Sequence, residues 1–179
     1  MATQSEQSIV LGGGCFWCLD ATYRLVRGIL KSECGYAGGS TPNPTYEQVS
    51  SGQTGHAEVV RLAYDSAVIQ VATILDIFWT IHDPTTKDRQ GADVGSQYRS
   101  IILYANTDDQ KIAETSVATA QSVWPAPIVT ELRPLQAFYL AEPEHQDYFN
   151  THPERAYCQI VIDPKLSKLR QSFAHLLKS

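Results

Sequence analysis

The segment Gly12-Gly13-Gly14-Cys15-Phe16-Trp17-Cys18 carries the clearest capacity for chemistry in this chain. A cysteine that opens a helix after a glycine turn meets unsatisfied backbone N–H groups and the positive end of the helix dipole. Both favour thiolate over thiol and lower the pKa. The glycines let backbone approach a ligand closely. Two bulky aromatics directly after the cysteine are unusual at a helix start and would form an apolar wall beside the sulfur. The competing reading makes Phe16 and Trp17 core residues and Cys15 a small buried one; spacing alone weighs the two evenly.

The remaining cysteines are Cys18, Cys34 and Cys158. Cys15 and Cys18 form a Cys-x-x-Cys pair, so a thioredoxin-like disulfide oxidoreductase using both is the main alternative enzyme class. A zinc module needs four ligands, and there is no second such pair, so no metal is expected. A cysteine hydrolase would pair Cys15 with His56, His82, His145, His152 or His175. No local hydrolase signature accompanies any of them, and each reads as a surface or internally satisfied residue. Glu58 begins an alternating stretch that puts Glu58, Val60, Leu62 and Tyr64 on one strand face. Burial there would raise its pKa and make it a proton donor at neutral pH. Taken alone it reads as an exposed or ion-paired strand residue, and Tyr46 and Tyr98 taken alone read as packing residues.

The elements that must position these groups follow from periodicity. Ser8 to Leu11 is a short buried strand that stops at the glycines. Phe16, Leu19, Tyr23 and Val26 have helical spacing, with Gly28 as C-cap. Ile29 to Tyr36 and Glu58 to Tyr64 are strands. Between them, Gly38 to Gly55 is a long loop, and such loops in compact domains are usually functional. Val68 to Ile81 is an amphipathic helix through Val71, Leu75, Phe78 and Ile81. A second loop, His82 to Gln97, leads into a strand over Tyr98 to Tyr104. A helix from about Asp108 to Val123 and a strand near Ile128 to Leu132 come next. Asp163-Pro164 opens the last helix as cap and first residue. The order strand, helix, strand, strand, helix, strand predicts a split βαβ, ferredoxin-like core. The fold class is an α/β two-layer sandwich with a mixed sheet and additional C-terminal helices.

At 179 residues the chain suits one domain, 1–179, with 1–7 as a flexible tail. The net charge is −5 and the basic residues are scattered, which argues against nucleic acid or an anionic membrane as partner. The N-terminus lacks the pattern of a signal peptide. The most apolar window, Val68 to Ile81, is interrupted by polar residues, whereas a membrane span needs about 20 mostly apolar ones. The cytoplasm is the expected compartment, where four cysteines are not expected to form a structural disulfide framework.

The string GGGCFWC strongly resembles the signature of the A-type peptide methionine sulfoxide reductases. Further segments resemble the same family in the same order: Gly35-Tyr36-Ala37-Gly38-Gly39, Asn43-Pro44-Thr45-Tyr46, Thr54-Gly55-His56-Ala57-Glu58 and Asp83-Pro84-Thr85-Thr86. They continue in Asp88 to Ser100 and in His145-Gln146-Asp147-Tyr148. The resemblance runs from about Ile9 to Cys158 and implies the ferredoxin-like sandwich already read from the element order. It implies Cys15 as nucleophile, Phe16 and Trp17 as the pocket for the substrate methyl group, and Glu58 as the acid. Tyr46, Asp93 and Tyr98 would complete the polar side.

The chemistry asks for such a set. The sulfoxide oxygen leaves poorly unless protonated, so a general acid is needed. Tyrosine hydroxyls can hold and orient it, and aromatic rings supply the apolar wall. The implied activity is thiol-dependent reduction of methionine S-sulfoxide, protein-bound and free, repairing oxidised proteins without a cofactor. Cys15 would pass through a sulfenic acid to a disulfide. Cys158 is expected to resolve it in preference to Cys18, with thioredoxin as reductant, while Cys34 is expected to be buried. Nothing demands more than a monomer.

Overall fold

The computed structural model describes residues 5–179. Of the expected tail at 1–7, residues 1–4 lie outside the described residues. Glu6 and Gln7 are strand residues instead, paired with Asp65 and Tyr64. Strand β1 spans Glu6–Gly12 and runs straight into the glycine turn and helix α1, Phe16–Arg24. Strand β2, Ile29–Ala37, follows, and β3, Ala57–Asp65, returns beside it. Helix α2, Tyr46–Ser50, lies in the loop between them, where the sequence predicted no element. Thr45 and Gln48 close it with reciprocal side chain to backbone hydrogen bonds, a capping box whose signature is present in the sequence.

Helix α3 spans Val71–Ile81 and β6 spans Ile101–Tyr104. Between them a two-stranded hairpin, β4 (Arg89–Gln90) and β5 (Asp93–Val94), interrupts the second expected loop. Helix α4, Thr107–Gln121, is capped by Asn106, whose side chain accepts from the Asp109 N–H at 2.8 Å. Strands β7, Glu131–Pro134, and β8, Phe138–Leu140, complete the sheet.

The six-stranded sheet has the order β7-β6-β1-β3-β2-β8. Its four middle strands, β6, β1, β3 and β2, each pair antiparallel with the next, in the split βαβ order expected from the sequence. β7 joins β6 in parallel, so the sheet is mixed. Alternation along the strands divides the interior. Ile9, Leu11, Val60, Leu62 and Tyr64 face the helices, with Phe16, Leu19, Ile74 and Phe78 in the same cluster. Val10, Val59, Ile101 and Leu103 face the other side, covered in part by Leu135 and Phe138.

Several boundaries differ from the sequence reading. Val68 is 54% exposed in a turn and α3 starts three residues later, because Asp65 accepts the Val68 N–H before the helix begins. Tyr98 is not in a strand. Gly95 takes φ +146° and its carbonyl accepts the Tyr98 N–H, which winds Ser96–Tyr98 into a 3₁₀ turn. β7 lies later than expected, since Gln121 reaches across to hold the Ile128 N–H and keeps that stretch irregular. Asp163 does not cap the last helix. A π-helical turn, Cys158–Ile162, already runs into it, so Asp163 has helical dihedrals and makes no cap bond. We label the segments α5, Tyr148–Thr151, and α6, Asp163–Phe173. Among the described residues no helix is long and apolar enough to cross a membrane.

Candidate active site

Cys15 is the residue before α1, with extended dihedrals (φ −60°, ψ 130°) set by the glycine turn, where Gly14 has φ +97°. The glycines also make room. A Cβ on Gly12 would lie 2.7 Å from Ile101, and one on Gly13 would lie 3.1 Å from the His82 ring. Cys15 is 8% exposed, so its sulfur lies at the bottom of the site rather than on the surface.

Glu58 comes up from β3 beneath the start of α1. Its Oε1 accepts at 3.2 Å the N–H of Phe16, the residue directly after Cys15 in the chain. It is 1% exposed, on the face shared with Val60, Leu62 and Tyr64. Burial is the main cause that raises its pKa to about 8, with Asp93 adding to the rise and the Phe16 N–H opposing it. The burial expected from the strand alternation is present at this carboxyl, and it shifts the pKa in the direction a proton donor needs.

The expectation for Cys15 does not hold. Burial pushes its thiol well above the ordinary range, and the nearby Glu58 and Cys18 push the same way. The Trp17 N–H and the Tyr157 hydroxyl lower it, as a helix start should, but by less. Desolvating a thiolate in this packed floor outweighs a few N–H dipoles. Burial therefore acts against the thiolate that the helix start favours.

Burial raises the pKa values of Tyr46, at the start of α2, and Tyr98, at the end of the 3₁₀ turn, and Glu58, Cys15 and Asp93, where ionised, would add to the rise in both. The fold thus gathers Cys15, Glu58, Tyr46, Asp93 and Tyr98 from five separate stretches. Phe16 is fully buried behind the site, against Tyr36 and His145 at ring separations of 5.7 and 5.3 Å. Trp17 is half-buried and stacks on Tyr148 at 3.7 Å, with ring planes 6° apart.

Three site residues escaped the sequence reading. The Nδ1 of His145 accepts from the Trp17 indole at 3.3 Å, and its ring lies 4.5 Å from that of Tyr46. Tyr148 supplies the stack under Trp17. Both lie in the quoted segment His145-Gln146-Asp147-Tyr148, so a signal was present but carried no role. Asp20 of α1 fixes that segment by accepting the Asp147 N–H at 3.0 Å, and Gln146 brackets both backbone groups of Cys34 at 2.9 Å. The third is Tyr157. Its hydroxyl donates to Asp93 at 2.7 Å and stands 3.7 Å from the Cys18 sulfur. Nothing local marks it, since its partners are far away in the chain.

Cys18 shares with Cys15 a cleft of about 450 Å³. Cys158 does not border it. That thiol is fully buried in the π-helical turn, and the charges acting on it are Asp163, Glu154 and Arg155, all from its own segment. The place beside Cys15 belongs to its neighbour Tyr157. Cys34 is fully buried as expected, its thiol directed at the Phe16 carbonyl at 3.7 Å. All four cysteines are free. Among the described residues, Glu142, Glu144 and His145 have possible metal-ligating atoms within 4.8 Å of one another. Glu142 is already engaged by the Tyr36 hydroxyl and the Tyr46 N–H, and His145 by Trp17.

Comparison with known proteins gives this arrangement its context. The model of the peptide methionine sulfoxide reductase family matches residues 7–177. The chain belongs to that family. Among its relatives, the peptide methionine sulfoxide reductase MsrA of Granulibacter bethesdensis is 51% identical over 170 residues, covering 94% of this chain and 92% of the relative. The crystal structure of reduced Mxr1 from Saccharomyces cerevisiae superposes with a TM-score of 0.82 at 35% identity, covering 86% of this chain and 90% of that one. Mxr1 in complex with Trx2 matches with a TM-score of 0.59 at 29% identity, covering 80% and 85% of the two chains. With the family shown and the ferredoxin-like order present, the thioredoxin-like disulfide oxidoreductase is set aside.

Proposed function

We propose that Cys15 is the nucleophile and Glu58 the proton donor with which this chain reduces methionine S-sulfoxide to methionine. As a member of its family the chain is a thiol-dependent oxidoreductase, and repair of oxidised proteins is its role. The observation that carries the assignment of residues is the buried Glu58 carboxyl, held under the start of α1 by the N–H of Phe16, the residue after Cys15, with its pKa raised to about 8 by burial. At neutral pH that carboxyl is protonated and can donate, as a general acid must.

The two raised pKa values define the first step. Glu58 gives its proton to the sulfoxide oxygen, and the Cys15 thiol returns one to Glu58 as its sulfur attacks the substrate sulfur. The oxygen ends on Cys15 as sulfenic acid, and the thioether leaves. Thiol plus sulfoxide thus become sulfenic acid plus thioether, and no external proton is consumed. Tyr46 and Tyr98 hold the oxygen, while Phe16 and Trp17 receive the methyl group. Trp17 is kept in position by Tyr148 below it and His145 at its indole N–H.

A second thiol then attacks the sulfenic sulfur, water leaves and a disulfide forms. We assign this step to Cys18, because it lines the same cleft as Cys15, in place of Cys158. The reductant proposed is thioredoxin, a choice supported by the yeast relative found in complex with Trx2. Free cysteines suit a cytoplasmic, reducing compartment. The chain acts as a single domain, since one core cluster joins Ile9 to Leu169, and the cycle asks for no group from a second copy.

The test is methionine release from an S-sulfoxide peptide in dithiothreitol, with wild type and Cys15→Ser side by side. Release by wild type alone is expected. Equal release by both would remove Cys15 from this role.

A further inference from the structure

The cleft above Cys15 and Cys18 extends well past the groups that the reaction uses. One wall is the β4–β5 turn, ending at Asp93. The other is the π-helical turn with Ile160 and the first half of α6 with Lys165 and Lys168. Ile160 is 73% exposed, an apolar side chain left open to solvent at the rim. Among the described residues neither lysine lies within ion-pair distance of a carboxylate. The one carboxylate on the cleft, Asp93, is occupied by the Tyr157 hydroxyl. Lys165 and Lys168 both line this cleft, and the Lys165 charge reaches the buried Cys18 thiol.

A chain of net charge −5 that keeps two unpaired cations beside its nucleophile departs locally from its own balance. We propose that this cleft receives the stretch of an oxidised protein that flanks its methionine sulfoxide, and that Lys165 and Lys168 select stretches carrying an acidic side chain. The proposal rests on Cys15 being the nucleophile. With the sulfoxide at Cys15, neighbouring residues of the substrate cross the rim, where Ile160 meets apolar groups and the two ammonium groups meet a carboxylate. Free methionine sulfoxide, with no flanking residues, gains nothing from them. Cations at a rim raise encounter rate and discrimination more than they raise affinity.

The test compares three S-sulfoxide peptides, identical except for Glu, Gln or Lys beside the sulfoxide, in dithiothreitol at low salt. Exposed charge pairs of this kind support a kcat/KM ratio of roughly three- to tenfold for Glu over Lys. The ratio should shrink as salt screens the cleft. It should fall to near one in the Lys165→Gln/Lys168→Gln double variant and persist in Lys111→Gln, the same charge change on distant α4. Equal rates for all three peptides with wild type would overturn the proposal, as would a ratio that survives in the double variant. A double variant altered only when thioredoxin replaces dithiothreitol would also overturn it, by moving the lysines to the reductant's interface. Turnover of the Gln peptide is read separately: its absence in wild type would remove the Cys15 reading on which the proposal stands.

Discussion

The hydroxyl of Tyr157 donates a 2.7 Å hydrogen bond to Oδ2 of Asp93. This contact ties the C-terminal segment to the β4–β5 turn directly over the buried thiols. The same hydroxyl stands 3.7 Å from the Cys18 sulfur, and it lowers the pKa of both Cys15 and Cys18, against the much larger effect of burial, when its one hydrogen turns from Asp93 to a thiolate. Tyr157→Phe should therefore move the alkylation profile of Cys15 to higher pH. Reactivity toward iodoacetamide as a function of pH, with the site of modification read by mass spectrometry, checks this. A profile that stays in place or moves down would contradict the contact.

Glu58 gives a pH dependence with a definite sign. The first step needs the carboxyl protonated, so single-turnover methionine release should be level below about pH 8 and fall above it. Glu58→Gln should slow that release by roughly 10²–10⁴, the range for a lost general acid. A single-turnover rate left unchanged would take Glu58 out of the mechanism.

Stability should fall with rising pH as well, over a lower window. The unfolded carboxyl titrates near 4.3, whereas the folded one keeps its proton to about 8. Between these values the folded state holds the additional proton, so stability falls as pH rises through the window. Glu58→Gln removes that titration. The variant should melt above wild type at pH 9 and lose this advantage toward pH 4. Each 1 kcal/mol gained corresponds to about 2–4 °C in Tm for a domain of this size. Parallel Tm curves for the two proteins across this range would show that the carboxyl is not buried as described.

The shared cleft of Cys15 and Cys18 makes a prediction about recycling. Cys18→Ser should release one methionine per enzyme in a single turnover but stall when thioredoxin is the only reductant. Peptide mapping of the oxidised wild type should find the Cys15–Cys18 disulfide. A Cys15–Cys158 bond instead would mean that the π-helical turn unwinds to deliver the second thiol.

Gly12 lies where three strands crowd together, and a methyl there would stand 2.7 Å from Ile101 and 3.0 Å from the Glu58 carbonyl. Gly12→Ala should cost about 1–3 kcal/mol by overpacking. Thermal melts should report the loss, and an unchanged Tm would mean that β1 has more room than its neighbours allow.

Much of the frame was legible because it rests on local rules. Alternation along β3 placed Glu58 with Val60, Leu62 and Tyr64, and all four are buried together. The 3.6-residue spacing found α1, α3 and α4 to within a few residues. The reading lost precision where long-range bonds override propensity. Tyr98 sits in a turn because of a glycine dihedral, and β8 forms only because the edge of β2 is there to pair with it. Tyr157 was invisible as a site residue, since nothing in Arg155-Ala156-Tyr157-Cys158 records that its hydroxyl ends on Asp93.

What the sequence by itself determined is the address of the chemistry: a cysteine at the first turn of a helix, behind three glycines and ahead of two aromatics. That follows from neighbours along the chain, which composition and spacing display. What only the tertiary structure decided is the state of those groups and their company. Packing removes water from Cys15 and Glu58 and raises both pKa values, and Cys18 rather than Cys158 shares the cleft with Cys15 because Tyr157 occupies the place on its wall. Desolvation and access depend on groups brought together from distant parts of the chain, and no local pattern encodes them.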